Sequence, residues 1–420
     1  MAWPTRELGT LATITRGSSP RPIADTRYFE NGTIPWIKIA DATKSGKYLY
    51  KTKEYVNEYG ASFSRRLPPK TILVAASGTL GYTQILGVEG CAHDGWLIIQ
   101  ELNGLDRDFA YYALKTLERH FFNSAYGAAI QNINTEILRK TEIPYPSLPI
   151  QRRIGSILSA YDDLIENITS RIAILEEMAR RLYEEWFVHF RFPGHEQVRM
   201  IESELGLIPE GWAIEPLGEF CNVTDYVANG SFASLKQNVT YRDEPDYAVL
   251  VRGTDFKSGW NGEYVYVTEH SYRFLKKSSL LPGDIVVTNV GNIGTTFMVP
   301  KLGRPMTLGP NSVLARPRNG TAFLFHYLRS DEGQHRIHGI TSGAAQPKFN
   351  KTEFRALRIV IPSDPVLAEF ERLLSPVHAL GEKLRAASKN LSTQRDLLLP
   401  KLISGEIDVS AFPEAEVVAA

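Results

Sequence analysis

From Ile154 onward an apolar residue recurs at alternating steps of four and three. Positions 154, 158, 161, 165, 168, 172, 175, 179, 182 and 186 are Ile, Leu, Tyr, Ile, Ile, Ile, Leu, Ala, Leu and Trp, while Arg152, Asp163, Glu166, Glu177 and Arg181 fall off the stripe. Such spacing, held over more than four heptads, predicts a long helix with one face sealed against a partner helix. A matching stripe lies 216 residues later: Phe370, Leu374, Val377, Gly381, Leu384, Ser388, Leu391, Arg395, Leu398 and Leu402 keep the phase, seven of them apolar. Gly381, Ser388 and Arg395 interrupt it and leave the local pairing there open. Each helix is expected to run about 37 residues, or roughly 55 Å.

Ahead of each stripe the pattern changes. Short apolar runs such as TILVAA (from Thr71) and DIVVTNV (from Asp284) alternate with turns such as ENGT, SGT and VGN. This predicts mixed β structure with a few helices. The clearest helices are YYALKTLERHFF (from Tyr111) and FLFHYLRSDEGQHRI (from Phe323).

The two blocks are copies. Trp3 and Leu8-Gly9 match Trp212 and Leu217-Gly218; PPKTILVAASGTLGYTQIL (from Pro68) matches LPGDIVVTNVGNIGTTFMV (from Leu281); GAAIQNINTEI (from Gly127) matches GAAQPKFNKTEF (from Gly343). The matches stay in order, with an offset drifting only from 209 to 216. This is a tandem duplication, with a period far too long for a solenoid. The expected class is α+β: two tandem domains of mixed β structure with helices, separated by two long helices that form an antiparallel coiled coil. An antiparallel pair would relate the copies by a pseudo-two-fold axis, the symmetry of duplex DNA. The expected divisions are a first recognition domain at 1–148, a central long helix at 149–192, a linker at 193–210, a second domain at 211–364, a C-terminal long helix at 365–405 and a disordered acidic tail at 406–420.

Composition narrows the class. At 420 residues, 43% hydrophobic and 22% charged, the chain reads as a globular protein of two domains or slightly more. No apolar run approaches a membrane span, and the first residues do not read as a signal peptide, so a cytoplasmic location is expected. Two cysteines, Cys91 and Cys221, cannot build a disulfide framework and read as small buried apolar residues. Net charge is zero, yet residues 1–148 and 211–364 each hold 17 basic against 14 acidic side chains, while 193–210 and 406–420 are acidic. Local basic patches are therefore available for nucleic acid.

The chain also strongly resembles a known family, the specificity subunits of type I restriction–modification systems. The stretches that carry the resemblance are LPIQRRIGSILSAYDDLIENI (from Leu148), LYEEWFVHF (from Leu182), SELGLIPEGWAIEPLGEF (from Ser203) and RDLLLPKLISGEI (from Arg395). The resemblance covers essentially the whole chain. It implies a non-catalytic DNA-reading subunit with two target recognition domains, each reading one half of a split, asymmetric site. It further implies that the helices serve as a ruler and as the dock for two methyltransferase subunits, which restriction (motor-nuclease) subunits join. S-adenosylmethionine, ATP and Mg²⁺ would then sit on those partners, with no cofactor on this chain. Phe187 and Phe190, at the end of the central helix, are the candidate partner contacts.

No catalytic motif competes. The Asn/Asp-Pro-Pro-aromatic signature of adenine methyltransferases, a Gly-rich S-adenosylmethionine loop and GxxxxGK[ST] are absent. Asp246 with Asp255-Phe256-Lys257 is a weak nuclease-like pattern, and its counterpart Asp41-Ala42-Thr43 lacks the lysine. His335 and His338 stand at helical spacing without a ligand partner evident in sequence. Two alternatives are a duplicated glycan- or peptide-binding module and a self-contained nuclease.

Base reading needs polar side chains on a rigid frame. Three segments per copy qualify. The first is an early loop, with Arg16, Ser18, Ser19 and Arg21 in one copy and Lys236, Gln237 and Asn238 in the other. The second is a Gly-rich turn, with Thr79, Tyr82 and Gln84 against Asn289, Asn292 and Thr295. The third is the repeated Gly-Ala-Ala segment, with Gln131, Asn132 and Asn134 against Gln346, Lys348 and Asn350.

Overall fold

The computed structural model describes residues 3–43, 45–127, 132–260, 262–343 and 346–410, with only the backbone described at 122–127. The chain divides into two units, Met1–Arg171 with Leu384–Ala420, and Ile172–Lys383.

In the first unit the strands Thr13–Arg16, Trp96–Gln100, Ile72–Ala75, Thr83–Leu86 and Tyr48–Leu49 form one sheet in that order. Successive side chains point to opposite faces of a strand. Ile72, Val74, Leu97 and Ile99 enter a core shared with Phe109 and Tyr112 of helix Arg107–Gly127. Leu73, Ala75, Trp96 and Ile98 enter a second core with Ile37, Leu67 and Ala92. Both faces are covered, which is why TILVAA is apolar throughout instead of alternating. The covering sheet runs Glu54–Val56, Ile34–Ile37, Gly90–Ala92, Arg65–Leu67, with its middle pair parallel.

The second unit repeats this plan. Cys221–Asp225, Ser312–Pro317, Ile285–Thr288 and Thr296–Met298 form the first sheet. Ile285 and Val287 face one core while Val286 faces another. Its second sheet runs Val265–Val267, Ala248–Val251, Met306–Leu308, Ser279–Leu280, again with a parallel middle pair, and gains Tyr241–Arg242 at one edge. Each copy is closed by a two-stranded ribbon, Thr5–Glu7 with Glu142–Pro144 and Ala213–Pro216 with Arg358–Ile361. The second strand of each ribbon leads into a long helix: Leu148–Tyr183, of 36 residues, and Asp364–Ser404, of 41.

All twenty stripe positions of the two helices are buried or half-buried. The polar interruption at Arg395 has a partner. Its guanidinium ion-pairs with Asp162, whose other oxygen accepts from the Tyr112 hydroxyl at 2.5 Å. Tyr161 meets Gln394 at 3.5 Å, and Arg153 donates to the Ser410 carbonyl at 2.8 Å. One chain segment descends as the other rises, so the two run antiparallel within the first unit. In the second unit Trp186 and Phe187 pack on Phe370 at ring separations of 5.6 and 4.7 Å.

Three expectations change. The helix predicted from Phe323 is two, Thr321–Arg329 and Asp331–Gly339, because Ser330 is extended and its hydroxyl caps the second by accepting from the Gly333 amide. The linker at 193–210 contains a hairpin, Met200–Ser203 with Gly206–Pro209, whose Ile208 joins the second unit's core. Residues 406–410 of the tail are folded: Val409 is fully buried in the first unit. Both cysteines are buried and unpaired. No helix among the described residues is long and apolar enough to cross a membrane.

Candidate nucleic-acid interface

The strand registers gather the three candidate segments. Arg16 pairs with Leu97, Ala75 with Trp96, and Val74 with Thr83. The early loop, the 93–95 loop and the Gly-rich turn therefore leave the sheet at one end. In the second unit Asp225 pairs with Val313, Thr288 with Ser312 and Val287 with Thr296, which places the equivalent loops at the equivalent end. The third segment is tied to that end by one shared hydrogen bond: the Ile133 amide donates to the Ala76 carbonyl at 3.0 Å, and the Phe349 amide to the Asn289 carbonyl at 3.1 Å. A second shared bond fixes the turn, with Ala76 donating to Gly95 at 2.8 Å and Asn289 to Asn311 at 3.0 Å. Gly78 and Gly81 have φ of 70° and 77°, and Gly291 and Gly294 have 79° and 78°. The paired glycines thus supply the left-handed backbone that the same turn needs twice.

On this frame several candidates are displayed to solvent: Arg16, Arg21, Thr79 and Asn132 in the first unit, and Lys236, Gln237, Asn292, Gln346 and Lys348 in the second. Arg16 donates to the Asp94 carbonyl at 2.8 Å, and Arg21 ion-pairs with the Asp94 carboxylate. The Ser19 hydroxyl accepts from the Asp94 amide at 3.2 Å, and the Ser18 carbonyl accepts from the Ser64 hydroxyl at 2.7 Å. Asp94 thus organises the early loop, a role that sequence reasoning missed; the polar HDG between two apolar runs was the available signal. Beside it, burial pulls the His93 pKa below its ordinary value.

Other candidates are engaged within the fold. Gln84 is fully buried, and its amide donates to the carbonyls of Gly46 and Lys47 at 3.0 Å each. The strand alternation turns it inward, so it is not available to a base. Tyr82 donates its hydroxyl to the Ala42 carbonyl at 3.0 Å. Asn134 and Asn350 cap the helices Thr135–Lys140 and Lys351–Ala356, each side-chain oxygen accepting from an amide at 2.8 Å. Their recurrence is helix-capping chemistry. Asn289 donates to the Phe349 carbonyl at 3.2 Å, Asn238 to the Ser234 carbonyl at 2.9 Å, and Thr295 to the Asn292 carbonyl at 3.1 Å. Gln131 lies outside the described residues. Phe187 is buried among Phe323, Phe370 and Trp212, which removes it as a partner contact, whereas Phe190 is half-buried on Trp212 and Val188 is 50% exposed.

Of the nuclease-like carboxylates, Asp246 accepts from the adjacent Tyr247 amide at 2.7 Å and Asp255 belongs to a helix cap. Asp255 is buried, accepts from the Arg252 amide at 2.7 Å and ion-pairs with its guanidinium at 2.6 Å. Asp41 accepts from the Lys38 amide in the matching position. No metal-binding group of three or more His, Cys, Asp or Glu occurs among the described residues.

The family described as the type I restriction modification DNA specificity domain matches residues 2–177 and again 209–369. The type I restriction enzyme MjaIX specificity subunit of Methanocaldococcus jannaschii is 26% identical over 429 residues, covering 97% of this chain and 94% of that protein. A putative type I specificity subunit of Mycoplasma genitalium, S.MgeORF438P, is 27% identical over 228 residues, covering 53% and 56%. Among solved structures, the type I restriction–modification S subunit from M. genitalium shares the fold, with a TM-score of 0.59 at 18% identity over 96% of each chain.

Proposed function

Because the chain belongs to the type I restriction–modification DNA specificity family, as a non-catalytic specificity subunit, we propose that each of its two domains reads one half of a split, asymmetric duplex site. Two methyltransferase subunits dock on it and restriction subunits join, so that the assembly methylates adenine or cleaves. S-adenosylmethionine, ATP and Mg²⁺ belong to those partners, and the assembly works in the cytoplasm. Of the two aromatics proposed for docking, Phe190 keeps that role, and the exposed Val188 joins it.

The observation that carries this reading is the doubled frame. The same loops leave the same end of the same sheet in both copies, held by the same backbone hydrogen bonds, while the displayed side chains differ: Asn132 in one, Gln346 and Lys348 in the other. A frame kept twice with its exposed residues changed suits two readers of two different half-sites.

The test is methylome sequencing of a host carrying this chain with its methyltransferase partner. Gln346→Ala with Lys348→Ala should relax one block of the methylated motif and leave the other intact; Asn132→Ala should act on the other block. Blurring of both blocks by either variant would refute independent reading. Methyl transfer by the chain without a partner would refute the non-catalytic assignment.

A further inference from the structure

Phe232 is 81% exposed, the most exposed of the large apolar side chains among the described residues. It begins the helix Phe232–Asn238, whose buried anchor is Leu235 and whose N-cap is the Ser231 hydroxyl, accepting from the Ser234 amide at 3.2 Å. One turn on, at Lys236, the same helix face presents an exposed cation. An aromatic held in water at that level adds little to folding, so the fold does not explain its presence.

Its surroundings point to a ligand. The strand before it ends at Asp225, at the loop-bearing end of the sheet. The turn Tyr226–Asn229 follows, and Asn229 clamps it to a second turn, Lys276–Ser278. The Asn229 amide donates to the Tyr226 carbonyl at 3.0 Å and the Ser278 hydroxyl at 2.8 Å, while its oxygen accepts from the Lys277 amide at 2.9 Å. Asn229 is thus a positioning residue that holds Lys276 and Lys277 beside the early loop. Lys236, Lys276 and Lys277 are all exposed, and among the described residues none of them has an ion-pair partner. The patch is also joined to the third segment, because Lys351 in the helix capped by Asn350 ion-pairs with Asp225 at 2.9 Å.

Uncompensated lysines on the helix of one exposed aromatic and on the turn clamped to the segment before it, continuous with the candidate reading loops, match a polyanion that also offers apolar base surface. We propose that Phe232 makes an apolar base contact in one half of the DNA site, and that Lys236, Lys276 and Lys277 bind the phosphates flanking it. Thymine methyls and unstacked base steps are the surfaces an aromatic side chain meets in duplex DNA. The proposal rests on the reading of this chain as a DNA-specificity subunit.

The test uses the full chain assembled with its methyltransferase partner, on a duplex carrying its methylated motif and on an unrelated duplex, across a salt series. Phe232→Ala should weaken binding to the specific duplex by about five- to a hundredfold, the usual range for one lost base-pair contact. Binding to the unrelated duplex, the salt slope and the melting temperature should hold, and one block of the motif should lose a position. Lys276→Ala with Lys277→Ala should weaken both duplexes together and flatten the slope of log K against log salt by about two, at roughly 0.9 per phosphate contact. Unchanged specific affinity in Phe232→Ala, or an unchanged slope in the lysine variant, overturns the proposal. So does loss of the methyltransferase with DNA binding intact, which would assign the patch to a protein partner. A wild-type complex without sequence preference would sink the parent reading, whereas normal wild-type specificity with an indifferent Phe232→Ala sinks this one alone.

Discussion

Replacing Arg395 with Leu restores the apolar stripe of the C-terminal helix, and should nevertheless destabilise the first unit. The Asp162 and Arg395 side chains are only 9% and 18% exposed. Burial alone would lower the Arg395 pKa, but the Asp162 charge and hydrogen bond outweigh it and hold it above its ordinary value. Leucine removes the cation and leaves the Asp162 carboxylate buried with the Tyr112 hydroxyl as its donor. Breaking a buried pair in this way costs about 3–5 kcal/mol. For a unit of this size that is a drop of roughly 6–20 °C in its melting transition. Removing both charges, as Asp162→Leu with Arg395→Leu, should recover most of the loss. What stays lost is about 1–2 kcal/mol for the Tyr112 hydroxyl's missing acceptor and imperfect packing. The assay is a double-mutant cycle by urea denaturation, followed through the first unit's transition. A loss below about 1 kcal/mol for Arg395→Leu, or strictly additive single variants, would show that the pair is not a coupled buried bridge.

The second unit should be acid-sensitive through His326. Burial first, then the charges of His378 and Arg329, lowers its pKa to about 3. An unfolded imidazole takes its proton below about pH 6.5 and the folded one does not, so stability falls by about 1.4 kcal/mol per pH unit from there toward 3. By pH 5 the loss is about 2 kcal/mol, and His326→Leu should flatten it; an equal slope in that variant refutes the assignment. Asn134→Ala and Asn350→Ala should each cost about 1 kcal/mol as lost caps and leave the methylated motif intact, and a changed motif would return them to the reading surface. Phe187→Ala should cost about 3–5 kcal/mol as a core truncation, while Val188→Ser should keep wild-type stability; a wild-type melt for Phe187→Ala would reopen it as a partner contact.

What was legible in the sequence was whatever repeats at a fixed period. The stripe from Ile154 and its echo from Phe370 match the shielded faces of both long helices. The ordered repeat matches two sheets of the same strand order in each copy. Side-chain direction was less legible. Gln84 looked like a turn residue, yet it lies one residue inside the strand Thr83–Leu86 and turns inward. Asn134 looked like a reader because amides read bases, but an Asn three residues before Ile137 is equally a helix start. Arg395 looked like a flaw in the seam because its partner Asp162 stands 233 positions away, beyond any local pattern.

The two copies also show which parts of a duplicated reader diverge. Residues that cap the frame keep their chemistry: the aspartates at Asp41 and Asp255 accept from the amide three residues back, and the asparagines at Asn134 and Asn350 cap matching helices. The early loops have diverged most. In the first unit Arg16 and Arg21 are spent on Asp94, whereas in the second the loop becomes a helix that leaves Phe232 and Lys236 in solvent. Arg21, ion-paired with the Asp94 carboxylate, and Arg16, bonded to its carbonyl, must give up a partner before they bind a phosphate, and lysines without an ion-pair partner need not. The second domain should therefore supply the larger share of salt-dependent affinity. Neutralising Arg16 and Arg21 should flatten the salt slope of the assembled complex by less than neutralising Lys276 and Lys277, and the opposite order would show that Asp94 does not hold the first loop's arginines in reserve.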